Sequence, residues 1–236
     1  SIDQDGQSEI SIRSDIVTGD FKGTINLYSL PDVVRQHVNQ YFSLQDTSIH
    51  KSLAPQNFKF DLVLKNTDLL TEVIFPELEP FIPGLITGEF NNQEDKLDLH
   101  LGISKITYAS TGVDSLAFRL TSNKNAMTFR FALLKLHVDT LRIDELSVTG
   151  KIANDSIHTS FNLLDSIGQE KYVLGGVIRS QEDNFRFHFI PRRVILNYNL
   201  WQVPPDNFLQ FGSKGLIANH FEISKNQEKI SLLTTA

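Results

Sequence analysis

A chain of 236 residues that is 40 % apolar can bury a core, and 17 Phe against one Met and one Trp bias that core toward rigid aromatic rings. A formal charge of −6 argues against a nucleic-acid partner, which needs clustered Lys and Arg. With no Cys there is no disulfide framework, no thiolate metal site and no cysteine nucleophile.

The opening SIDQDGQSEISIRSD is polar, so residues 1–10 are expected as a tail, and it lacks the apolar core of a signal peptide. No window reaches about 18 consecutive apolar residues, so no transmembrane helix is expected. Because the chain begins on Ser, it is expected to be part of a longer protein whose membrane anchor lies elsewhere.

The first regular element is a helix. In SLPDVVRQHVNQYF, Pro31 and Asp32 suit a first helical turn, and Val33, Val34, His37, Val38 and Tyr41 recur at helical spacing. Its polar face carries one basic residue, Arg35, too few for an interfacial membrane helix. It is therefore expected to pack across an apolar sheet face through Val34, Val38 and Tyr41, plugging or capping it.

Strands follow, marked by period-two alternation that sends successive side chains to opposite faces. Phe58, Phe60, Leu62 and Leu64 share one face. In NTDLLTEVIFPELEPF, Asp68 can cap a second short helix with Leu69, Leu70 and Val73 on one side, and Pro76 ends it. Alternation resumes with Leu97, Leu99, Leu101 and Ile103, then Met127, Phe129 and Phe131, then Leu134, Leu136 and Val138. It continues through Leu141 and Ile143, through Ile157, Thr159, Phe161 and Leu163, through Phe185, Phe187 and Phe189, and ends at Ile230 and Leu232. The opposite faces are mostly polar. FNNQED, SNKNA, ANDS, SQEDN and SKNQEK supply the turns.

This spacing favours antiparallel meanders. The expected fold is mainly β, an elongated, curled antiparallel sheet forming an open groove with one or two short amphipathic helices. No linker divides the chain, so 1–236 is read as a single segment. TGEF near Glu89, TGKI near Lys151 and LGGVI near Val177 suggest equivalent positions in repeated units.

Chemistry is sparse. Seven His are scattered without ligand spacing and are expected as surface or strand residues, with His188 exposed between two inward Phe. Ser48 and Lys51 have the spacing of an acyl-enzyme pair without its other motifs. Asp3-Gln4-Asp5-Gly6 begins like a calcium loop that does not continue. Asn154-Asp155-Ser156 matches a glycosylation sequon but serves a turn more simply. Gly175-Gly176 is expected as a bulge or a close backbone approach. No acid, base and nucleophile converge, so no enzyme is expected, and neither is a cofactor or a metal. The Phe185, Phe187 and Phe189 stripe is either the core of a sealed sandwich or the lining of an open groove.

The segment WQVPPDNFLQFGSKGLIANHFEISKNQEKISL, with Trp201, Pro205, Asn207, Gly212, Phe221 and Ile230, resembles a recurring unit of the TamB family. These are AsmA-like translocation and assembly modules, here of the Bacteroidetes type. FKGTINLYSLPDVVRQHVNQYFSL, NFKFDLVLKNTDLLTEVIFPELEPF and GLITGEFNNQEDKLDLHLGI extend the resemblance over most of the chain.

The resemblance implies a section of a periplasmic hydrophobic groove, in a protein anchored to the inner membrane, that conducts lipids between the two membranes and supports outer-membrane assembly. Its partners would be lipid acyl chains and an outer-membrane barrel of the TamA or BamA type. Groove-lining candidates are Phe58, Phe60, Leu62, Leu64, Leu97, Leu99, Leu101, Met127, Phe129, Phe131, Phe185, Phe187 and Phe189. The alternative is a structural or chaperone-like envelope module that binds outer-membrane protein strands by β-augmentation.

Overall fold

The structure is a computed structural model that describes residues 8–43, 53–65, 68–138, 141–181, 184–213 and 215–234. It begins with β1 (Ser8–Arg13), β2 (Val17–Thr24), helix α1 (Leu30–Asn39), β3 (Asn57–Leu64), β4 (Gly84–Asn91), β5 (Lys96–Tyr108) and β6 (Thr111–Asn123). It continues with β7 (Ala126–Leu133), β8 (Lys135–Val138), β9 (Leu141–Ile143), β10 (Glu145–Ala153), β11 (Ser156–Leu164) and β12 (Glu170–Gln181). The last strands are β13 (Asn184–Leu196), β14 (Asn199–Leu200), β15 (Phe208–Gly212), β16 (Gly215–Asn219), β17 (Glu222–Lys225) and β18 (Glu228–Ser231). Residues 8–10, expected in the polar tail, pair within β1.

The protein is mainly β, built on one 16-stranded antiparallel sheet whose main path runs β1-β2-β3-β4-β5-β6-β7-β10-β11-β12-β13-β15-β16. Neighbours in sequence are neighbours in space, as hairpin chemistry dictates. At the β10–β11 turn Asn154 (φ 50°) and Asp155 (φ 53°) both adopt the left-handed conformation that a two-residue hairpin needs. The sheet does not close: β1 and β16 remain its two edges, and β17 and β18 form a separate hairpin.

Helix α1 shows that the sheet curls. His37 packs edge-on against Phe90 of β4 at 5.3 Å, and Phe42 stacks on Phe185 of β13 at 5.9 Å. β4 and β13 are seven steps apart along the sheet path, about 34 Å if it were flat. The five residues from His37 to Phe42 rise only about 7.5 Å, so the strands are drawn together around the helix.

Pro31 and Asp32 open α1 as expected, with Asp32 paired to Arg35 at 3.2 Å. The buried stripe differs from expectation. Val33, His37 and Tyr41 are buried, whereas Val34 is 37 % exposed. The curl presents apolar surface on two sides of the helix tip, and the i, i+4, i+8 stripe meets both.

The second helical segment is a wide π-type turn, Leu69–Ile74, with Leu69 and Val73 exposed. It therefore does not bury the side expected of it. Past Pro76 the chain straps the sheet end opposite α1, where Leu78 and Phe81 pack with Ile16, Leu64 and Ile106. The strap is tied by Glu79 N donating to Thr107 O at 2.9 Å and Ala109 N to Glu77 O at 2.8 Å.

Candidate functional site

Cross-strand partners share a face, so the register locates every groove candidate. One row across the sheet reads Phe21, Phe60, Gly88, Leu99, Leu120, Phe129, Gly150, Thr159, Gly176 and Phe189. The next reads Gly19, Leu62, Ile86, Leu101, Phe118, Phe131, Val148, Phe161 and Leu174. On the α1 side lie Phe58, Phe90 and Leu97, then Met127, Ile152, Ile157, Ile178 and Phe187. Leu64 pairs with Gly84, and Phe185 with Phe211.

The candidates from β3, β5, β7 and β13 thus fall on one continuous apolar face. The reading from sequence missed Phe21, Ile86, Phe118 and Leu120 on the same face. The alternation in SLAFRL, Leu116 to Leu120, was the signal for the last two.

This face is not sealed. Phe58 and Met127 are buried near α1, but Leu99, Leu101, Leu120, Phe129, Phe131, Phe161 and Leu174 all remain partly exposed. The chain exposes 14639 Å², against about 10,700 Å² for a compact monomer of its mass. An open sheet with one wet apolar face leaves such an excess.

Glycines shape the floor. A Cβ on Gly150 would lie 2.2 Å from the Phe129 ring, one on Gly176 2.3 Å from Phe187, and one on Gly88 2.6 Å from Phe60. In each case the ring of a Phe from the neighbouring strand occupies the space that a Cβ would fill. These are the TGEF, TGKI and LGGVI positions. Gly176 also adjoins a register shift between β12 and β13, the bulge expected there.

Two elements cover the ends of the face. At the hairpin tips, Val33 joins Phe58 and Phe90 in a buried cluster. His37 Nε2 lies 2.8 Å from Ser122 Oγ, and Tyr41 donates its hydroxyl to Asn123 O at 2.9 Å. Asp155 N donates to Tyr41 O at 3.0 Å, and Ser180 Oγ donates to Ser43 O at 3.2 Å. Burial pushes the His37 pKa below its ordinary value and the Tyr41 phenol above its own. Over β13, Phe221 stacks on Phe189 at 5.1 Å and meets Phe187 edge-on at 6.0 Å. The Phe185, Phe187 and Phe189 stripe is therefore half-covered, neither sealed nor bare.

Asn207 holds that stripe in place. It is buried, its Oδ1 accepts Phe189 N at 2.8 Å, and its Nδ2 donates to Phe189 O at 3.2 Å and to Pro204 O at 2.7 Å. One amide side chain stands in for a strand partner where β15 has not yet begun.

The outer face is mostly polar, although Val173 and Val177 of β12 are buried on it. Lys59 lies 3.8 Å from Glu89, which Lys96 also pairs, and Asp98 lies 2.7 Å from His100 and 3.8 Å from Arg119. The Lys96 hydrogen bond holds the Glu89 carboxyl below the usual carboxylate range. His188 faces this side as expected but is half-buried, and burial lowers its pKa. His37 departs furthest from a surface placement. Asp3 to Gly6, Ser48, His50 and Lys51 lie outside the described residues. Among the described residues no helix is long and apolar enough to cross a membrane, which leaves membrane β-barrels unaddressed. Comparison with protein-family models, curated proteins and solved structures returned no match.

Proposed function

We propose that this chain is a section of a hydrophobic groove that carries lipid acyl chains between membranes and supports outer-membrane assembly, with no catalytic step of its own. The observation that carries the reading is the continuous, partly exposed apolar face spanning β2 to β13. Each acyl CH₂ withdrawn from water contributes about 0.8 kcal/mol without directional contacts. Rows of Leu, Ile and Phe hold such a chain weakly at many positions, as sliding requires. On the TamB-like resemblance of the sequence, the proposal includes a periplasmic location, an inner-membrane anchor and an outer-membrane barrel as partner.

The test is photo-crosslinking from Leu101 and Phe131, in the middle of the face, with mass analysis of the adducts. Lipid adducts at both, and none from Thr128 on the outer face, are expected. Adducts only to protein would defeat the conduit reading.

The alternative, β-augmentation of an outer-membrane protein strand, is favoured by one observation. Edge strand β16 pairs along one side with β15, and on its other side, where Ala218 N donates to Thr234 Oγ1 at 3.2 Å, Leu216 and Ile217 are 50 % and 41 % exposed. Capture of an isolated barrel strand by delipidated protein, abolished by Leu216→Pro on the side away from β15, would support it over the conduit.

A further inference from the structure

The outer face changes character along the sheet. Over the first strands several outer-face cations have an acid: Arg13 with Asp20, Lys22 with Glu9, Lys59 and Lys96 with Glu89. Strands β7, β11 and β13 carry no acid, and β10 and β12 only Glu145 and Glu170 at their first positions. Arg130, Lys151 and Arg179 make no ion pair among the described residues. Arg179 stands directly opposite Arg186, an arrangement that like charges disfavour, and Lys151 stands opposite His158. The crowding reaches His188, whose pKa is held down by burial and then by Arg179, His158 and Arg186.

Within this basic tract the face opens into a cleft of about 360 Å³ lined by Thr149, Lys151, His158, Ser160 and Ile190. A side chain on Gly175 would meet Arg193 Cβ at 2.9 Å and Ile190 Cβ at 3.5 Å. The bulge of β13 therefore folds over that glycine, which pairs with Ser160, and brings the Arg193 Cβ beside the Ile190 wall of the cleft. The Thr149 and Ser160 hydroxyls have no hydrogen-bond partner among the described residues. Free hydroxyls beside an unpaired cation, with no acid among the lining residues, form a donor set without an acceptor.

We propose that this cleft binds a phosphate-bearing anion, with Lys151 and Arg193 supplying charge and Thr149 and Ser160 donating hydrogen bonds to its oxygens. The site lies on the opposite face from the groove and does not depend on the groove carrying lipid. The ligand chemistry is that of a phosphate mono- or diester, whether free in solution or presented as a phospholipid headgroup.

Two arms test it at low ionic strength, where screening is weakest. In the first, inorganic phosphate is titrated into the 236-residue chain while backbone amide resonances are followed. Saturable shifts at Lys151, His158 and Ser160 are expected. Lys151→Gln and Arg193→Gln should each weaken binding about tenfold, with Lys22→Gln unchanged. In the second arm, phosphatidylcholine vesicles with and without phosphatidylglycerol are sedimented with the protein. Co-sedimentation with the anionic vesicles alone, lost in the same two variants, identifies a headgroup. Phosphate binding without it identifies a free phosphate ester. Absence of saturable binding in both arms, or binding that survives Lys151→Gln together with Arg193→Gln, overturns the proposal. All the substituted residues are exposed, and an unchanged spectrum away from the cleft establishes that each variant folds.

Discussion

His37 Nε2 and Ser122 Oγ lie 2.8 Å apart although 85 residues separate them in sequence. Ser122 Oγ already accepts from Leu97 N at 2.8 Å and donates to Asp95 O at 3.0 Å, so His37 enters as a donor through Nε2–H. Its Nδ1 is left buried, with no partner among the described residues. A second proton would have to sit there. Burial therefore lowers the His37 pKa, only partly opposed by Asp95.

The sign of the pH effect follows. The unfolded state holds the His37 proton up to its ordinary pKa near 6.5, whereas the folded state releases it sooner on the way up. The stabilisation is complete above about pH 6.5 and is lost as pH falls through the lower folded value. Denaturation midpoints at neutral and mildly acidic pH should show wild type losing more stability than His37→Gln. Equal losses would remove His37 as the cause.

Gly150 and Phe129 form a steric pair, since a Cβ on the glycine would lie 2.2 Å from the ring. Gly150→Ala should cost about 1–3 kcal/mol by forcing the ring off its rotamer. Phe129→Leu should relieve part of that cost, giving a non-additive double-mutant cycle. At Gly102 nothing lies within 4 Å of the corresponding position, so Gly102→Ala should be neutral or slightly stabilising. Thermal melts of the four variants decide it.

Phe58 and Phe187 share the apolar face but not its environment. Phe58 is 4 % exposed beneath α1, whereas Phe187 is half-buried beside Phe189 and Phe221. Phe58→Asp should cost upward of about 4 kcal/mol and largely unfold the domain. Phe187→Asp should lose about 2 kcal/mol and still melt cooperatively, because its carboxylate reaches water. A collapsed melt for Phe187→Asp would mean that the face is sealed there.

Asn207→Leu should cost about 2–4 kcal/mol, since it strips the Phe189 backbone N–H and C=O of their partner in a buried place. Hydrogen exchange at the Phe189 amide should accelerate selectively. Unchanged protection there would show that another group takes over the pairing.

Alternation alone determined a great deal. In NFKFDLVL, in KLDLHLGI and in NFRFHF the period of two places the apolar residues, Val63 apart, on one side, and backbone sterics leave no other option once a strand forms. Turn residues such as Asn154-Asp155 were equally legible, because few residues tolerate a positive φ. The glycine positions in TGEF, TGKI and LGGVI were visible as similar strings, but not as seats for Phe rings.

Tertiary structure decided what local rules cannot reach. In α1 both Val33 and Val34 fit the helical spacing, and only the curl of the sheet, which presents Phe58, Phe90 and Ser122 to the side bearing Val33 and His37, selects the buried one. Leu69 and Val73 read as a packing stripe, yet they are 41 % and 68 % exposed. The partner of Asn207 is a backbone 18 residues away, invisible to any window shorter than the hairpin it closes. Period and turn chemistry act between neighbours in sequence, so they set the faces of the sheet. The curl sums small twists over every strand, so what covers the apolar face, and where, is a property of the whole sheet.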